Sequence, residues 1–189
     1  MSPKVKITKA QIIQAAFDIA ENEGLAQITV RKVAAALNCS VAPIYVNFEN
    51  AEDLVSDVIK KAMDINMEYV SRPYTDQPFL NMGIGSIMLA YEHKKLYRDI
   101  VALNNAHDET DAEAHRIMID IMKSDKKLEG FSDPQIMQIL FTLQVFTAGL
   151  CAYASAESMP EGITLKLLLK LLEDTGNDVI EGTRKRAEK

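Results

Sequence analysis

The chain has 189 residues, 48% of them hydrophobic, and carries a formal net charge of −6 at pH 7. This length fits one domain of ordinary size, or a small domain followed by a larger one. The apolar content is enough for a substantial core, so the composition excludes a disordered or fibrous protein.

Cysteine usage and hydropathy indicate the cellular compartment of the protein. Cys39 and Cys151 have neither the spacing of metal ligands nor that of a disulfide framework. The N-terminal stretch lacks the basic end and long apolar run of a signal peptide, and no stretch reaches the roughly 18 uninterrupted apolar residues of a membrane span. We therefore expect a soluble, cytoplasmic protein in a reducing compartment, with no membrane partner.

The first predicted helix starts after Thr8 and ends at Gly24. Thr8 and Gln11 have the spacing of a capping box, in which each side chain satisfies a backbone N–H at the helix start. Glycine readily ends a helix. Between these signals the apolar positions recur at helical spacing and form a buried stripe: Ile12, Ala15, Ala16, Ile19 and Ala20.

A second, short helix is predicted after Thr29, whose hydroxyl can accept a hydrogen bond from an unpaired backbone N–H of the first turn. Arg31 and Lys32 fall on its outer face. The opposite face is apolar and consists of Val30, Val33, Ala34 and Leu37.

The third predicted helix follows an Asn38-Cys39-Ser40 turn. Ser40 is the expected N-cap, and Pro43 fits the first turn, where a missing N–H removes no helical hydrogen bond. The helix is too short to be stable alone. We expect Ile44 and Phe48 to anchor it to a core.

Side chains that are small or able to hydrogen-bond remain on the exposed face of this third helix. They lack the bulk that would prevent a close approach, and they are Val41, Ala42, Pro43, Tyr45 and Asn47. In a helix-turn-helix motif the second helix lies in the major groove of DNA, with its N-terminal residues against base edges. Small apolar side chains can contact thymine methyls there. The pattern therefore predicts a DNA-reading helix.

The remainder of the chain is also predicted to be helical. A linking helix begins at Asn50, carries Asp53 in its acidic first turn and ends at Arg72-Pro73. Pro, Gly and charged turns separate further helices at about 78–93, 95–104, 112–124, 134–156 and 164–184. Because no segment sustains the two-residue alternation of a strand, the sequence predicts an all-α fold.

Residues 8–55 resemble the DNA-binding domain of the TetR family of transcriptional regulators. The resemblance rests on the order and spacing of five segments: Thr8–Gly24, Ile28–Ala34, Ser40-Val41, Tyr45–Phe48 and Glu52–Leu54. It implies a three-helix helix-turn-helix domain, residues 1–50, connected by the linking helix 50–72. A larger effector-binding and dimerisation domain, 51–189, follows.

The resemblance also implies residue roles. Thr29 and Tyr45 hold DNA phosphates and thereby position the protein, whereas Val41, Ala42 and Pro43 face the bases and specify the sequence. The full set of expected DNA-binding residues is Thr29, Arg31, Lys32, Ser40, Val41, Ala42, Pro43, Tyr45 and Asn47.

Three positions depart from the family pattern. Asn38 stands where a glycine is common, Asn47 stands where a histidine is common, and Ala51 lies near a position that is often lysine. Asparagine can adopt the left-handed conformation that such a turn can require. The absent lysine removes one expected phosphate contact.

The acidic charge is unevenly distributed along the chain. Residues 1–50 contain five cations and four anions, which leaves +1 on this segment and −7 on the other 139 residues. Strong non-specific DNA binders usually carry a pronounced basic patch. The small imbalance therefore predicts few phosphate contacts per protomer and a reliance on dimerisation for affinity.

The last two predicted helices carry more apolar residues than one buried stripe requires. They are either core helices of a monomer or, as the family resemblance also implies, a four-helix interface between two copies. A two-fold dimer would read a palindromic operator with half-sites roughly 34–36 Å apart, or somewhat more. The expected interface residues are Leu143, Phe146, Leu150, Leu165, Leu168, Leu169 and Leu172.

Methionine and aromatic residues in the middle of the chain predict a ligand cavity, because methionine adapts to irregular shapes. The alternative is that they are ordinary core residues at helical spacing. A small hydrophobic effector is what the family resemblance implies. The candidate pocket residues are Met63, Met67, Met88, Tyr91, Met118, Met122, Phe141 and Phe146.

A metal site is the weaker of two interpretations of His107, Asp111 and His115. The three recur every four residues and would share one face of a helix, as zinc ligands can. However, the acidic residues of this segment equally suit a solvated loop beside the positive N-terminus of the next helix. We therefore assign no metal and no other cofactor.

Catalytic signatures are sparse. Three histidines and two isolated cysteines offer few nucleophile–base pairs, and the sequence contains neither a Gly-rich phosphate loop nor a Gly-x-Ser-x-Gly elbow. We expect not an enzyme but a ligand-responsive, dimeric repressor that a hydrophobic effector releases from its operator. The alternative is a helical small-molecule-binding or interaction protein whose DNA-binding head is weak or non-functional.

Overall fold

The computed structural model describes the backbone of residues 7–104 and 111–187 and the side chains of residues 7–101 and 116–187. The structure is 79% helical, with no strand in this part of the chain, which confirms the all-α prediction. The predicted helix bounds differ from the observed ones by at most three residues. The helices are α1 Lys9–Glu23, α2 Val30–Ala36, α3 Ala42–Asn47, α4 Ala51–Ser71, α5 Pro78–Glu92, α6 Lys94–Asn104, α7 Asp111–Ser124, α8 Asp133–Ala154 and α9 Leu165–Ala187.

Local capping chemistry places the first two helices. Thr8 and Gln11 form the predicted capping box at the start of α1, and the Thr29 hydroxyl accepts a hydrogen bond from the Lys32 N–H at the start of α2. Gly24 ends α1 with a φ of 101°, a conformation that side chains with a Cβ rarely adopt. Both helices therefore begin where their cap residues predict.

The third helix begins two residues beyond Ser40, so the prediction of Ser40 as its N-cap is wrong. Val41 occupies the cap position without a side-chain hydrogen bond, and α3 starts at Ala42. Val41 already has helical dihedrals (φ −68°, ψ −18°), and its carbonyl accepts from the Ile44 N–H at 3.1 Å. A serine that caps a helix has an extended backbone and lies directly before the first helical residue. The intervening helical Val41 removes Ser40 from that role.

The chain divides into two compact units. The N-terminal unit comprises Met1–Ile65 and Lys95–Val101, and the C-terminal unit comprises Asn66–Lys94 and Ala102–Lys189. Helices α4 and α6 each contribute residues to both units. The boundary at residue 50 between a DNA-binding and an effector-binding domain is a functional division, and it stays a prediction.

The core of the N-terminal unit holds α3 in place. Ile44 is fully buried and Phe48 is 5% exposed, as expected for the two anchors of this helix. Leu96 and Ile100 of α6 belong to the same core. Because α3 has only six residues, tertiary packing rather than helix propensity keeps it helical.

Two polar residues of α6 also fasten the end of α1. The Lys95 ammonium donates to the Asn22 carbonyl at 2.5 Å, and the Asp99 carboxylate accepts from the Leu25 N–H at 2.6 Å. Carbonyl and N–H groups at helix ends lack helical partners. One turn of α6 thus satisfies an acceptor and a donor where the chain leaves α1.

In the C-terminal unit, α5, α8 and α9 pack against one another. By length and hydropathy, α8 is the one helix of the described residues that can cross a membrane. Its apolar character has a structural reason, since one face of α8 is buried in the core of this unit. The core cluster contains Met122, Leu128, Ile136, Ile139, Leu140, Leu143 and Ile180.

Replacing Ile44 by alanine should destabilise the N-terminal unit by about 2–5 kcal/mol, because the truncation removes buried contacts and leaves a cavity. Val46→Ala on the same helix is the matched control. Its side chain is 84% exposed, so its free energy of unfolding should change by less than about 0.5 kcal/mol. Urea denaturation followed by circular dichroism measures both, and equal losses would contradict the anchoring role of Ile44.

Candidate nucleic-acid interface

Helix α3 presents an exposed face built from four residues on consecutive turns. Val41 and Ala42 lie at its start, and Tyr45 and Val46 follow one turn later. Tyr45 is 58% exposed and Val46 is 84% exposed. Because residues four apart share a helix face, these side chains form one continuous surface, which we call the reading face.

Pro43 and Asn47 lie at the edge of the reading face. Both are half-buried, and the Asn47 side-chain amide donates to the Pro43 carbonyl at 2.8 Å. The Asn47 amide is therefore engaged within α3. Ser40 is exposed in the turn before the helix.

Val46 is a candidate contact residue that the sequence analysis missed. It is more exposed than any other large apolar side chain of the described residues. Its position four residues after Ala42 was a usable signal, because that spacing places it on the same face. Thymine methyl groups are a fitting partner for such a side chain in the major groove.

The turn before α3 depends on a left-handed residue. Asn38 has a φ of 50°, and among the described non-glycine residues it is the only one with a positive φ. Asparagine adopts this conformation more readily than other residues with a Cβ. The prediction that Asn38 can adopt the left-handed conformation is confirmed.

The cations of α2 differ in their surroundings. The Lys32 ammonium lies 2.7 Å from the Glu23 carboxylate and 3.0 Å from the Gln27 side-chain oxygen. Arg31 is exposed. A phosphate that binds Lys32 must compete with Glu23, which lowers the positive charge available on this surface.

Thr29 keeps a donor available while it caps α2. Its oxygen accepts the Lys32 N–H at 3.2 Å. A hydroxyl has one donor and two acceptor positions, so its O–H can still donate to a phosphate oxygen. The residue is exposed, which permits that contact.

An ion pair between Lys9 and Asp57 lies beside Phe48, one of the two anchors of α3. The Lys9 ammonium lies 2.7 Å from the Asp57 carboxylate and 4.9 Å from the centre of the Phe48 ring. The hydrogen bond from Lys9 is the largest cause that holds the pKa of Asp57 below its ordinary value, and Lys60 contributes too. α1 and α4 are thereby joined beside Phe48.

The predicted pocket residues occupy different environments. Met63 packs on the core of the N-terminal unit, whereas Met118 and Met122 pack in the core of the C-terminal unit. Phe141 is 69% exposed, and Met67 and Tyr91 are also exposed. Met88 and Phe146 are half-buried.

The predicted dimer-interface leucines are largely internal. Phe146, Leu165 and Leu169 are half-buried, while four others are buried within their own chain: Leu143, Leu150, Leu168 and Leu172. The exposed large apolar side chains of these helices are Met137, Phe141, Val145, Tyr153 and Leu171. The buried leucines fill the core between α8, α9 and α5, and the assignment of interface residues stays a prediction.

The weak metal candidate, His107, Asp111 and His115, lies outside the residues whose side chains are described. Among the described residues, no group of three His, Cys, Asp or Glu side chains is arranged to hold a metal ion.

Comparison with known proteins identifies relatives of the fold. No family model and no curated protein sequence matches the chain. The crystal structure of TetR from Acinetobacter baumannii is 15% identical, with a TM-score of 0.63, over 95% of this chain and 98% of that one. The repressor of a Stenotrophomonas maltophilia multidrug efflux pump is 19% identical, with a TM-score of 0.55, over 90% and 89%.

A ketosteroid transcriptional regulator of Mycobacterium tuberculosis is 15% identical, with a TM-score of 0.53, over 95% of this chain and 96% of that one. At such identities the likeness concerns the fold, and it extends over nearly the whole chain.

Two substitutions of Asn38 should separate backbone strain from side-chain contacts. Asn38→Ala should cost about 1–2 kcal/mol of unfolding free energy, because alanine tolerates a φ of 50° poorly. Asn38→Gly should stay within about 0.5 kcal/mol of the parent, since glycine adopts that conformation freely. Thermal unfolding of both variants measures the difference, and a stable alanine variant would contradict a strained turn.

Proposed function

We propose that this chain, which has the fold of the TetR-family transcriptional regulators, is a DNA-binding transcriptional regulator that acts as a homodimer. The reading face of α3 is the observation that carries the proposal. It presents apolar groups and one hydroxyl, without a carboxylate, on a helix held by buried Ile44 and Phe48. Such a surface suits the edges of base pairs in a major groove.

Two kinds of DNA contact follow from the chemistry of the exposed residues. The hydroxyls of Thr29 and Tyr45 can donate to phosphate oxygens and so position the protein. Val41, Ala42 and Val46 can contact thymine methyls and so select the sequence. Arg31, Lys32 and Ser40 are further phosphate candidates, and Pro43 and Asn47 lie at the edge of the base-facing surface.

Weak electrostatics make a dimer necessary for affinity. Glu23 partly neutralises Lys32, and the first fifty residues carry only one excess positive charge. Each protomer can therefore release few counterions from the DNA. Two N-terminal units related by a two-fold axis, which we call the reading heads, would add their contacts on a palindrome with half-sites roughly 34–36 Å apart, or somewhat more.

An exposed apolar strip on α8 supports the homodimer. Phe141 and Val145 are 69% and 61% exposed, and the small Ala148, Gly149 and Ala152 continue the strip on the next turns. Large apolar side chains beside small ones allow two helices to approach closely. A second copy of the chain, packed through α8 and α9, would cover this strip.

We further propose that a small hydrophobic effector binds the C-terminal unit and releases the operator. An effector that prefers a conformation with misplaced reading heads lowers operator affinity by its differential affinity for the two states. Movement of α4 is the transmission step, since this helix has residues in both units. The likeness to an efflux-pump repressor agrees with a repressor role.

One observation favours the alternative, a helical small-molecule-binding or interaction protein with a weak DNA-binding head. Lys32 is engaged by Glu23, and Ala51 at the start of α4 supplies no cation. DNase protection of the DNA that flanks the chain's own gene separates the two functions.

Selection from random duplex DNA should return a palindrome, and Tyr45→Phe should weaken binding to it about tenfold, because the hydroxyl is lost while the ring is kept. The loss should be equal on the selected site and on its point variants. Val46→Ala should instead change the preference at one or two base pairs. Fluorescence anisotropy at two salt concentrations measures these affinities.

Ser158→Ala is the control for a lost hydroxyl, since Ser158 is exposed in the turn after α8. It should bind the palindrome as the parent does. A log–log salt slope near zero would count against operator binding. A changed base preference in Tyr45→Phe would contradict its phosphate role.

Introducing a charge into the exposed strip should disrupt the dimer. Phe141→Glu and Val145→Glu should each raise the dimer dissociation constant at least about 100-fold, because two-fold symmetry would bury two like charges together. Ser158→Glu, in the exposed turn after α8, is the control and should remain dimeric. Analytical ultracentrifugation measures the change, and unaltered association of both strip variants would exclude this surface as the interface.

A further inference from the structure

A hydrogen-bonded cluster fastens the last turns of α4 to the end of α5. The side chain of Tyr69 is 4% exposed, and its hydroxyl donates to the Glu92 carboxylate. The Nε2 atom of His93 lies 3.1 Å from the same hydroxyl oxygen. The rings of Tyr69 and His93 also meet edge to face, with their centres 5.6 Å apart. One tyrosine therefore joins α4 to Glu92, the last residue of α5, and to His93, which caps that helix.

A second attachment lies two turns earlier on α5. A Cβ atom added to Gly85 would lie 2.7 Å from the Cα of Val70, closer than real Cβ atoms approach. Only glycine permits this backbone contact between α4 and α5. Seven residues of α-helix separate Gly85 from Glu92, a rise of about 10.5 Å. The end of α4 is thus fixed at two points along α5.

The surroundings of Tyr69 keep its hydroxyl a donor. Burial, together with the hydrogen bond and the negative charge of Glu92, raises the pKa of Tyr69 to about 12. The Arg72 guanidinium lies 4.1 Å from the centre of the tyrosine ring and covers one side of it. The hydroxyl therefore remains protonated throughout the neutral range.

Tyr74 provides an alternative partner for the same carboxylate. Its hydroxyl oxygen is buried and, within the described residues, accepts and donates no hydrogen bond. Burial raises the pKa of Tyr74, the positive charge of Arg72 opposes this shift, and the negative charge of Glu92 adds to it. A buried hydroxyl without a partner costs free energy. If Glu92 moved from Tyr69 to Tyr74, one buried hydroxyl would gain a bond as the other lost it.

The cluster lies beside two of the places where the chain passes from one unit to the other. The chain leaves the N-terminal unit after Ile65 and re-enters it at Lys95. Tyr69 and His93 are four and two residues from these points. The helix α4 is continuous from Ala51 to Ser71, so its anchored last turns and its first turns belong to one helix.

We propose that Tyr69, Glu92 and His93 form a latch that fixes α4 and thereby sets the separation of the two reading heads. The inference rests on the proposed function, because a head separation has meaning only for a dimer on DNA. Tyr69 is a positioning residue, which acts on DNA through α4. In the open state the Glu92 carboxylate accepts a hydrogen bond from Tyr74 instead.

The decisive readout is the tolerance of DNA binding to the distance between half-sites. On palindromes whose spacer differs by one to three base pairs from the selected one, the parent protein should lose at least about tenfold in affinity. Tyr69→Phe should lose less than about threefold, because an unlatched α4 lets the heads adjust. Equal spacer dependence in the two proteins would overturn the latch. A uniform loss on all spacers would also overturn it, since that is the result of simple destabilisation.

Two further variants sharpen the comparison. Glu92→Gln keeps an oxygen that can accept from Tyr69, so it should retain the spacer dependence of the parent. Glu92→Ala removes the acceptor and should behave as Tyr69→Phe does. Ser158→Ala controls for the loss of a hydroxyl elsewhere on the C-terminal unit. Identical behaviour of the Gln and Ala variants would contradict the hydrogen bond as the cause.

Hydrogen–deuterium exchange tests the latch without DNA. In Tyr69→Phe the amides of residues 66–71 and 85–93 should exchange at least about fivefold faster than in the parent, because local opening no longer breaks the Tyr69–Glu92 bond. Unchanged exchange would overturn the latch even if DNA binding were normal. If the parent protein selects no palindrome, the proposed function fails, and the exchange rates alone decide the latch.

Discussion

The burial of Ile44 and Phe48 is the constraint on which the rest of the structure depends. A helix of six residues has too few hydrogen bonds to offset the ordering of its backbone. Its conformation therefore exists only while these two side chains remain inside the N-terminal core. The exposed residues of α3 are free to serve recognition because they contribute little to that packing, whereas the anchors cannot vary without loss of the surface.

Local chemistry explains which parts of the fold could be predicted from the sequence. Thr8, Thr29 and Asn38 act through hydrogen bonds or dihedral angles within three residues of themselves, and the structure confirms each one. The start of α3 was mispredicted, because Val41 adopts a helical conformation that its own side chain does not signal. Val46 was missed although it lies four residues after Ala42, and that spacing places both residues on the same face of α3.

The C-terminal helices show the limit of periodicity more sharply. The apolar excess of α8 and α9 was evident in the sequence. However, an apolar face that packs in the core and an apolar face that remains exposed have the same helical spacing. Only the tertiary structure shows that Leu143 and Leu168 face inward while Phe141 and Val145 face outward. The predicted pocket and interface residues stay predictions for the same reason, since partners outside the chain leave no separate mark on its spacing.

The contribution of α6 to the N-terminal core bears on how such a head evolves and can be engineered. Leu96 and Ile100 are buried among residues of α1 to α4, and Asp99 and Lys95 satisfy backbone groups at the end of α1. A fusion protein that ended after α4 would expose this apolar surface and leave those groups to solvent. The head is therefore not a transferable cassette, and a functional graft must carry α6 with it or supply a replacement for its buried face.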